Sequence, residues 1–157
     1  IDPQDAKKML ADFRARVPFM QGMLEAVMNR ANSKGIIRTL LGRKCRFDLW
    51  EPMSWGVHKA LPHNQAKVEY GDAIKRAGTY KALNRLIQGS AADQTKKAMV
   101  DVYEELGVVP LIQVHDELDC SVKGEKEAKE IQRVMETCVE LEVPSKADID
   151  LGESWGG

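Results

Sequence analysis

The residues best suited to chemistry lie together at His115-Asp116-Glu117, inside the stretch Leu111-Ile112-Gln113-Val114-His115-Asp116-Glu117-Leu118-Asp119-Cys120-Ser121-Val122. An apolar run precedes them and an apolar–polar alternation follows, the pattern of two short strands joined by a tight polar turn. The spacing predicts a β-hairpin with two adjacent carboxylates and an imidazole at its tip. Carboxylates held at a strand end suit hard divalent cations such as Mg²⁺, which take one or two of them together with substrate phosphate oxygens. A polar turn with solvated acids is the plain alternative, and Asp119 reads as solvated.

Two further groups have chemistry to offer. Asn84 and Gln88 stand four residues apart, so on a helix they share a face. Amides both donate and accept, which suits the acceptors that every base pair presents in a minor groove; capping or surface roles are the ordinary alternatives. Arg43, Lys44 and Arg46 crowd a short segment beside Gly42. Between residues 30 and 85 there are 12 Lys or Arg against 4 Asp or Glu, while the rest of the chain carries 11 against 20. A basic middle between acidic flanks is what a nucleic-acid contact on one face needs, because phosphates attract Lys and Arg. An unevenly charged solvated surface is the competing reading.

The elements that must position these residues follow from local signals. Asp2-Pro3 caps and opens a helix carrying Met9, Leu10, Phe13 and Val17. After Pro18 a second helix presents Met20, Met23, Leu24, Val27, Met28 and Ala31, and Gly35 closes it. Residues 36–41 and 43–47 read as a basic hairpin turning at Gly42. Residues 50–65, with Pro52, Gly56 and Pro62, read as a loop or insertion. Trp50, Trp55 and Tyr70 lie near basic residues there, either as base-stacking surfaces or as anchors that pin the loop. Residues 72–86 read as a helix weakened at Gly78. Gly89 is expected to break it, and Ser90 with Asp93 outlines a capping box for a long helix to Leu106. After the central hairpin, residues 125–141 form an amphipathic helix with Ala128, Ile131, Met135, Cys138 and Leu141 inward. Residues 147–151 alternate like a last strand, and Trp155 is expected to pack at the end.

A chain of 157 residues, 43% hydrophobic and 30% charged, fits one α+β globular domain with a proper core. No apolar run approaches the roughly 20 residues of a membrane span, and no secretory signal pattern opens the sequence. Three scattered cysteines, Cys45, Cys120 and Cys138, point to a reducing compartment without a disulfide framework or zinc site. With Ile1 in place of an initiator Met, the sequence reads as a piece of something longer or a trimmed chain.

Four segments in order resemble one family. Leu111-Ile112-Gln113-Val114-His115-Asp116-Glu117-Leu118 is similar to the third palm motif of family A DNA polymerases, the DNA polymerase I family. Asn84 through Gln88-Gly89-Ser90-Ala91-Ala92-Asp93 resembles that family's N-x-x-x-Q-G-[TS]-A-A-D segment. Thr39-Leu40-Leu41-Gly42-Arg43-Lys44 resembles its T-L-x-G-R-[RK] hairpin, and Gly152-Glu153-Ser154-Trp155 its closing G-x-x-W. The likeness runs from about Pro3 to the end.

The resemblance implies an antiparallel palm sheet, with the central acidic hairpin packed against long helices, plus a helical fingers portion. Residues 1–35 would be the helical fingers part, 36–49 the basic hairpin, 50–70 a loop or insertion, and 71–157 the palm. It implies primer extension from deoxynucleoside triphosphates with two Mg²⁺ ions clamping the attacking and leaving oxygens. Asp116 and Glu117 would serve the metal site and His115 the primer end. Asn84, Gln88, Arg43, Lys44, Arg46 and Arg85 would contact primer–template DNA, the basic side chains at phosphates. The implied setting is the cytoplasm of a bacterial or phage-infected cell, away from membranes.

The departures matter as much. The family's first palm motif, with its metal-binding Asp, and the fingers helix that grips the triphosphate would both lie upstream of Ile1. Tyr80 stands where the family often has an Arg four residues before the Asn, with Lys81 and Arg76 as candidate substitutes. The segment 50–78 exceeds what bacterial enzymes need, which leans toward a bacteriophage type. The chain alone is therefore expected to be inactive and to pair with the N-terminal remainder of a polymerase, in the same gene or as a split subunit. A non-catalytic DNA-binding subunit is the runner-up. A single-subunit RNA polymerase, or a nuclease using Asp116, Glu117 and Asp119, stands further off.

Overall fold

The computed structural model describes residues 2–154, so Ile1 and the packing expected of Trp155 lie outside the described residues. Helix α1 (Pro3–Arg16) begins as the sequence predicts: Pro3 takes the first helical position and the Asp2 carboxylate accepts from the Gln4 amide at 2.7 Å. Helix α2 (Phe19–Lys34) ends at Gly35, whose φ of 68° is the left-handed cap that glycine adopts without steric cost.

Strands β1 (Ile36–Arg38) and β2 (Lys44–Arg46) pair antiparallel, Ile37 opposite Cys45. The 50–65 region is more regular than expected. Strand β3 (Leu49–Pro52) sits between β4 (Leu61–Pro62) and β5 (Ile74–Arg76) in an antiparallel sheet, and α3 (His63–Tyr70) follows β4 directly. The helix expected over 72–86 is corrected: Gly71 and Gly78, both at positive φ, bracket the strand β5, and a 3₁₀ turn (Thr79–Lys81) leads into the next helix. Ala31, Ile37, Phe47 and Ala82 form the buried cluster here, with Val27, Cys45 and Leu86 packed against it.

Gly89 does not break the chain's longest helix. α4 runs unbroken from Ala82 to Leu106, so Ser90 and Asp93 are interior positions, not a capping box. A mid-helix glycine costs about 1 kcal/mol, and burial along the helix at Ala82, Leu83, Thr95, Ala98 and Val102 outweighs it. Strands β6 (Pro110–Val114) and β7 (Glu117–Cys120) form the expected hairpin. Helix α5 (Glu125–Thr137) is shorter than the sequence suggests: Ala128, Ile131 and Val134 are buried, and Leu141 lies beyond it, 38% exposed. Val102, Val108, Ile131 and Val134 make a second core, joined by Cys120 and Val122 from the hairpin.

No strand forms over 147–151. The Ala147 carbonyl accepts from Gln132 Nε2 at 2.6 Å and its amide donates to Glu136 Oε1 at 3.1 Å, so side chains of α5 satisfy the backbone that a neighbouring strand would have paired.

The architecture is α+β, helices with three small antiparallel sheets. The chain divides into two compact units, residues 1–87 and 88–157. The division follows the charge: the first unit holds 16 Lys or Arg against 8 Asp or Glu, the second 7 against 16. No described helix is long and apolar enough to cross a membrane.

Candidate functional site

The acidic hairpin turns as tightly as a hairpin can. Val114 and Glu117 are its last paired residues, leaving His115 and Asp116 as the two turn residues. A two-residue hairpin loop needs positive φ at its first position, and His115 supplies it at 54°. Histidine is among the few non-glycine types enriched there. The Gln113 amide bridges the turn by donating to the His115 carbonyl at 2.5 Å. His115, Asp116 and Glu117 are all exposed, so the tip offers carboxylate oxygens to solvent from a backbone fixed by the ladder beneath it.

Asp119 corrects the sequence reading. It is half-buried on β7, and its Oδ2 is buried without a hydrogen-bond partner. Its neighbour Cys120 has its thiol pushed up from the usual range by burial and, secondarily, by the Asp119 charge. Burial likewise raises Cys138. Neither is poised as a thiolate nucleophile. All three cysteines are free.

Hard-cation chemistry fits the donor set at the tip only in part. Asp116 and Glu117 are oxygen ligands of the right type, yet among the described residues no three His, Cys, Asp or Glu side chains converge on one point. The tip can hold part of a Mg²⁺ shell and leaves the rest to other donors.

In the first unit, the basic hairpin closes through a Thr39–Gly42 turn, with the Gly42 amide donating to the Thr39 carbonyl at 2.9 Å. Lys44 and Arg46 share the outward face of β2 while Cys45 between them faces the core. Arg43 is exposed at the start of that strand. Arg85 is drawn toward β2, its guanidinium 5.1 Å above the ring of buried Phe47, next to Arg46 in sequence. Asn84 and Gln88 are exposed one turn apart on the unbroken α4.

The two candidate replacements for the Arg absent at Tyr80 are otherwise engaged. Arg76 donates to the Asn32 carbonyl at 3.1 Å and the Phe47 carbonyl at 2.8 Å and lies over Trp50. Lys81 lies over the Tyr80 ring. Sequence reasoning missed this bracing role of Arg76 and the buried oxygen of Asp119. Nothing local signals either, since both depend on partners distant in sequence.

A sequence profile described as DNA polymerase family A matches residues 1–157, and the chain belongs to that family. It is 42% identical over 154 residues to a DNA-directed DNA polymerase of Pseudomonas phage M6, covering 97% of this chain and 20% of that protein. It is 28% identical over 158 residues to the thermostable DNA polymerase I of Thermus aquaticus, covering 97% of this chain and 17% of that protein. Among solved structures it resembles the POL domain of Pol1 from M. smegmatis, in complex with DNA primer-template and dNTP. The TM-score there is 0.74 at 29% identity, over 99% of this chain and 26% of that one. The chain thus spans about a fifth of the length of these curated relatives.

Proposed function

We propose that this chain supplies the C-terminal palm-and-fingers part of a DNA polymerase active site, in which template-directed DNA synthesis proceeds by two-metal nucleotidyl transfer. The observation that carries the reading is the exposed Asp116–Glu117 pair on a two-residue hairpin turn in a chain of DNA polymerase family A. Asp116 would hold Mg²⁺, with Glu117 supporting the metal or the primer end and His115 meeting the primer terminus. Bound Mg²⁺ would neutralise charge developing on the transferred phosphoryl group. Asn84 and Gln88 face the minor groove, and their amides sense pair shape without reading sequence. Arg43, Lys44, Arg46 and Arg85 hold backbone phosphates.

The same reading assigns a partner: the N-terminal remainder of a polymerase, in the same polypeptide or as a separate chain. Among the described residues no third ligand converges on the tip. Strand β6 carries Leu111, Ile112 and Val114 at 67%, 44% and 39% exposure, and α1 has no buried residue while presenting Met9, Leu10 and Phe13. Such surface calls for cover. The reading places the chain in the cytoplasm of a bacterial or phage-infected cell.

Primer extension tests it. With Mg²⁺ and four deoxynucleoside triphosphates, the chain alone is expected to bind primer–template without extending it, and addition of the polypeptide carrying the remainder is expected to restore synthesis. Binding without synthesis even in the completed assembly would favour the DNA-binding subunit instead.

A further inference from the structure

Phe47 stands where the basic hairpin ends, and it is held by its amide, its carbonyl and its ring. The amide donates to the Gly35 carbonyl at 2.8 Å, joining the two feet of the hairpin. The carbonyl accepts from Arg76 Nη1 at 2.8 Å. The ring is buried with Ala31, Ile37 and Ala82, and the Arg85 guanidinium lies over it at 5.1 Å.

Arg76 is itself fixed. Its backbone lies in β5 opposite Trp50 of β3, and its guanidinium covers the Trp50 ring at 4.7 Å. Trp50 in turn meets His63 edge-on, also at 4.7 Å. Arg76 Nε donates to the carbonyl of Asn32, in the last turn of α2, at 3.1 Å. A rigid planar fork can reach two carbonyls on separate elements at once, which a single ammonium on a flexible stem does poorly.

The element braced in this way carries dense positive charge. Residues 34–47 contain Lys34, Arg38, Arg43, Lys44 and Arg46 and no Asp or Glu. Arg46 directly precedes Phe47, and Arg85 is exposed above the Phe47 ring. Like charges so close repel one another. Cations held in place by the fold lose less freedom on meeting a phosphate than cations ordered only on contact.

We propose that Arg76 is a positioning residue of the DNA-phosphate face: through Phe47 it fixes where Arg46 and Arg85 present their charge, without touching DNA itself. The inference rests on the polymerase reading, which gives Arg46 and Arg85 their phosphates, and adds to it the residue that sets their place.

The test is duplex DNA binding by the chain across a series of salt concentrations, with circular dichroism at the assay temperature as the check on folding. Arg76→Lys is the main variant, because it keeps the charge and gives up the two-carbonyl fork. It is expected to bind more weakly and to lower the slope of log K against log salt by about 1 to 2, the loss of one or two phosphate contacts. In a chain already carrying Arg46→Ala and Arg85→Ala, the same change is expected to leave the slope where it is, since nothing remains to be positioned. Arg76→Gln serves as the second variant should Arg76→Lys not fold, and its loss is expected to shrink in that background.

A lowered unfolding midpoint with wild-type affinity and slope would overturn the proposal and make Arg76 a structural brace alone. Wild-type binding by Arg76→Lys beside a loss in Arg76→Gln would overturn it too, because charge and not placement would then be at work. An equal loss in both backgrounds would do the same. A slope untouched by Arg46→Ala and Arg85→Ala would take the phosphates from this face and the proposal with them. The polymerase reading is tested apart from all of these, by primer extension.

Discussion

The Arg76 guanidinium fills the space that a side chain at Gly35 would need: a Cβ there would lie 2.6 Å from Arg76 Cζ. From that position Arg76 ties the end of α2 to β2 and β3 through the carbonyls of Asn32 and Phe47 and the face of Trp50. Gly35 is doubly constrained, since its φ of 68° already disfavours any residue with a Cβ. Gly35→Ala is expected to destabilise the chain by about 1–3 kcal/mol, and Arg76→Ala by a comparable amount through two charge-assisted hydrogen bonds. Urea unfolding of the two single variants and the double variant checks this. The double is expected to cost less than the sum, because each change removes the other's constraint.

Asp119 costs stability where it stands. A carboxylate oxygen buried without a partner carries a penalty of about 1–3 kcal/mol. Asp119→Val, which fits a β-strand and removes the orphan, is expected to raise the unfolding midpoint of the chain. A lowered midpoint would show that the carboxylate is stabilising.

The basic hairpin is expected to act on phosphates alone. Lys44→Ala and Arg46→Ala should weaken duplex binding uniformly across sequences, each lowering the slope of log K against log salt by about 1. Titrations at several salt concentrations on two unrelated duplexes check it, and sequence-dependent losses would contradict it.

Legibility in the sequence divides along the range of the forces involved. Asp2-Pro3, Gly35 and the His115-Asp116 turn are local devices, and each was readable because its chemistry acts within a few residues. Residues 72–86 misled because Gly71 and Gly78 set a strand between them whose partner, β3, lies more than twenty residues upstream. Gly89 looked like a breaker because its cost is local while the burial that outweighs it is tertiary. The alternation at 147–151 mimicked a strand, yet Gln132 and Glu136 hold that backbone. At the candidate site, residue types and spacing were readable. The buried Asp119 oxygen depends on what packs around it, and so was not.

Asp116 bears the central claim most directly. It is exposed in a turn, so Asp116→Asn preserves the fold and nearly the shape while removing the charge a metal needs. Primer extension by the completed assembly, wild type beside Asp116→Asn, is the decisive measurement. The account requires primer–template affinity to persist while the extension rate falls by about a thousandfold or more, the loss of several kcal/mol of metal-borne stabilisation. Extension by Asp116→Asn at the wild-type rate would remove the metal site from this hairpin and contradict the account.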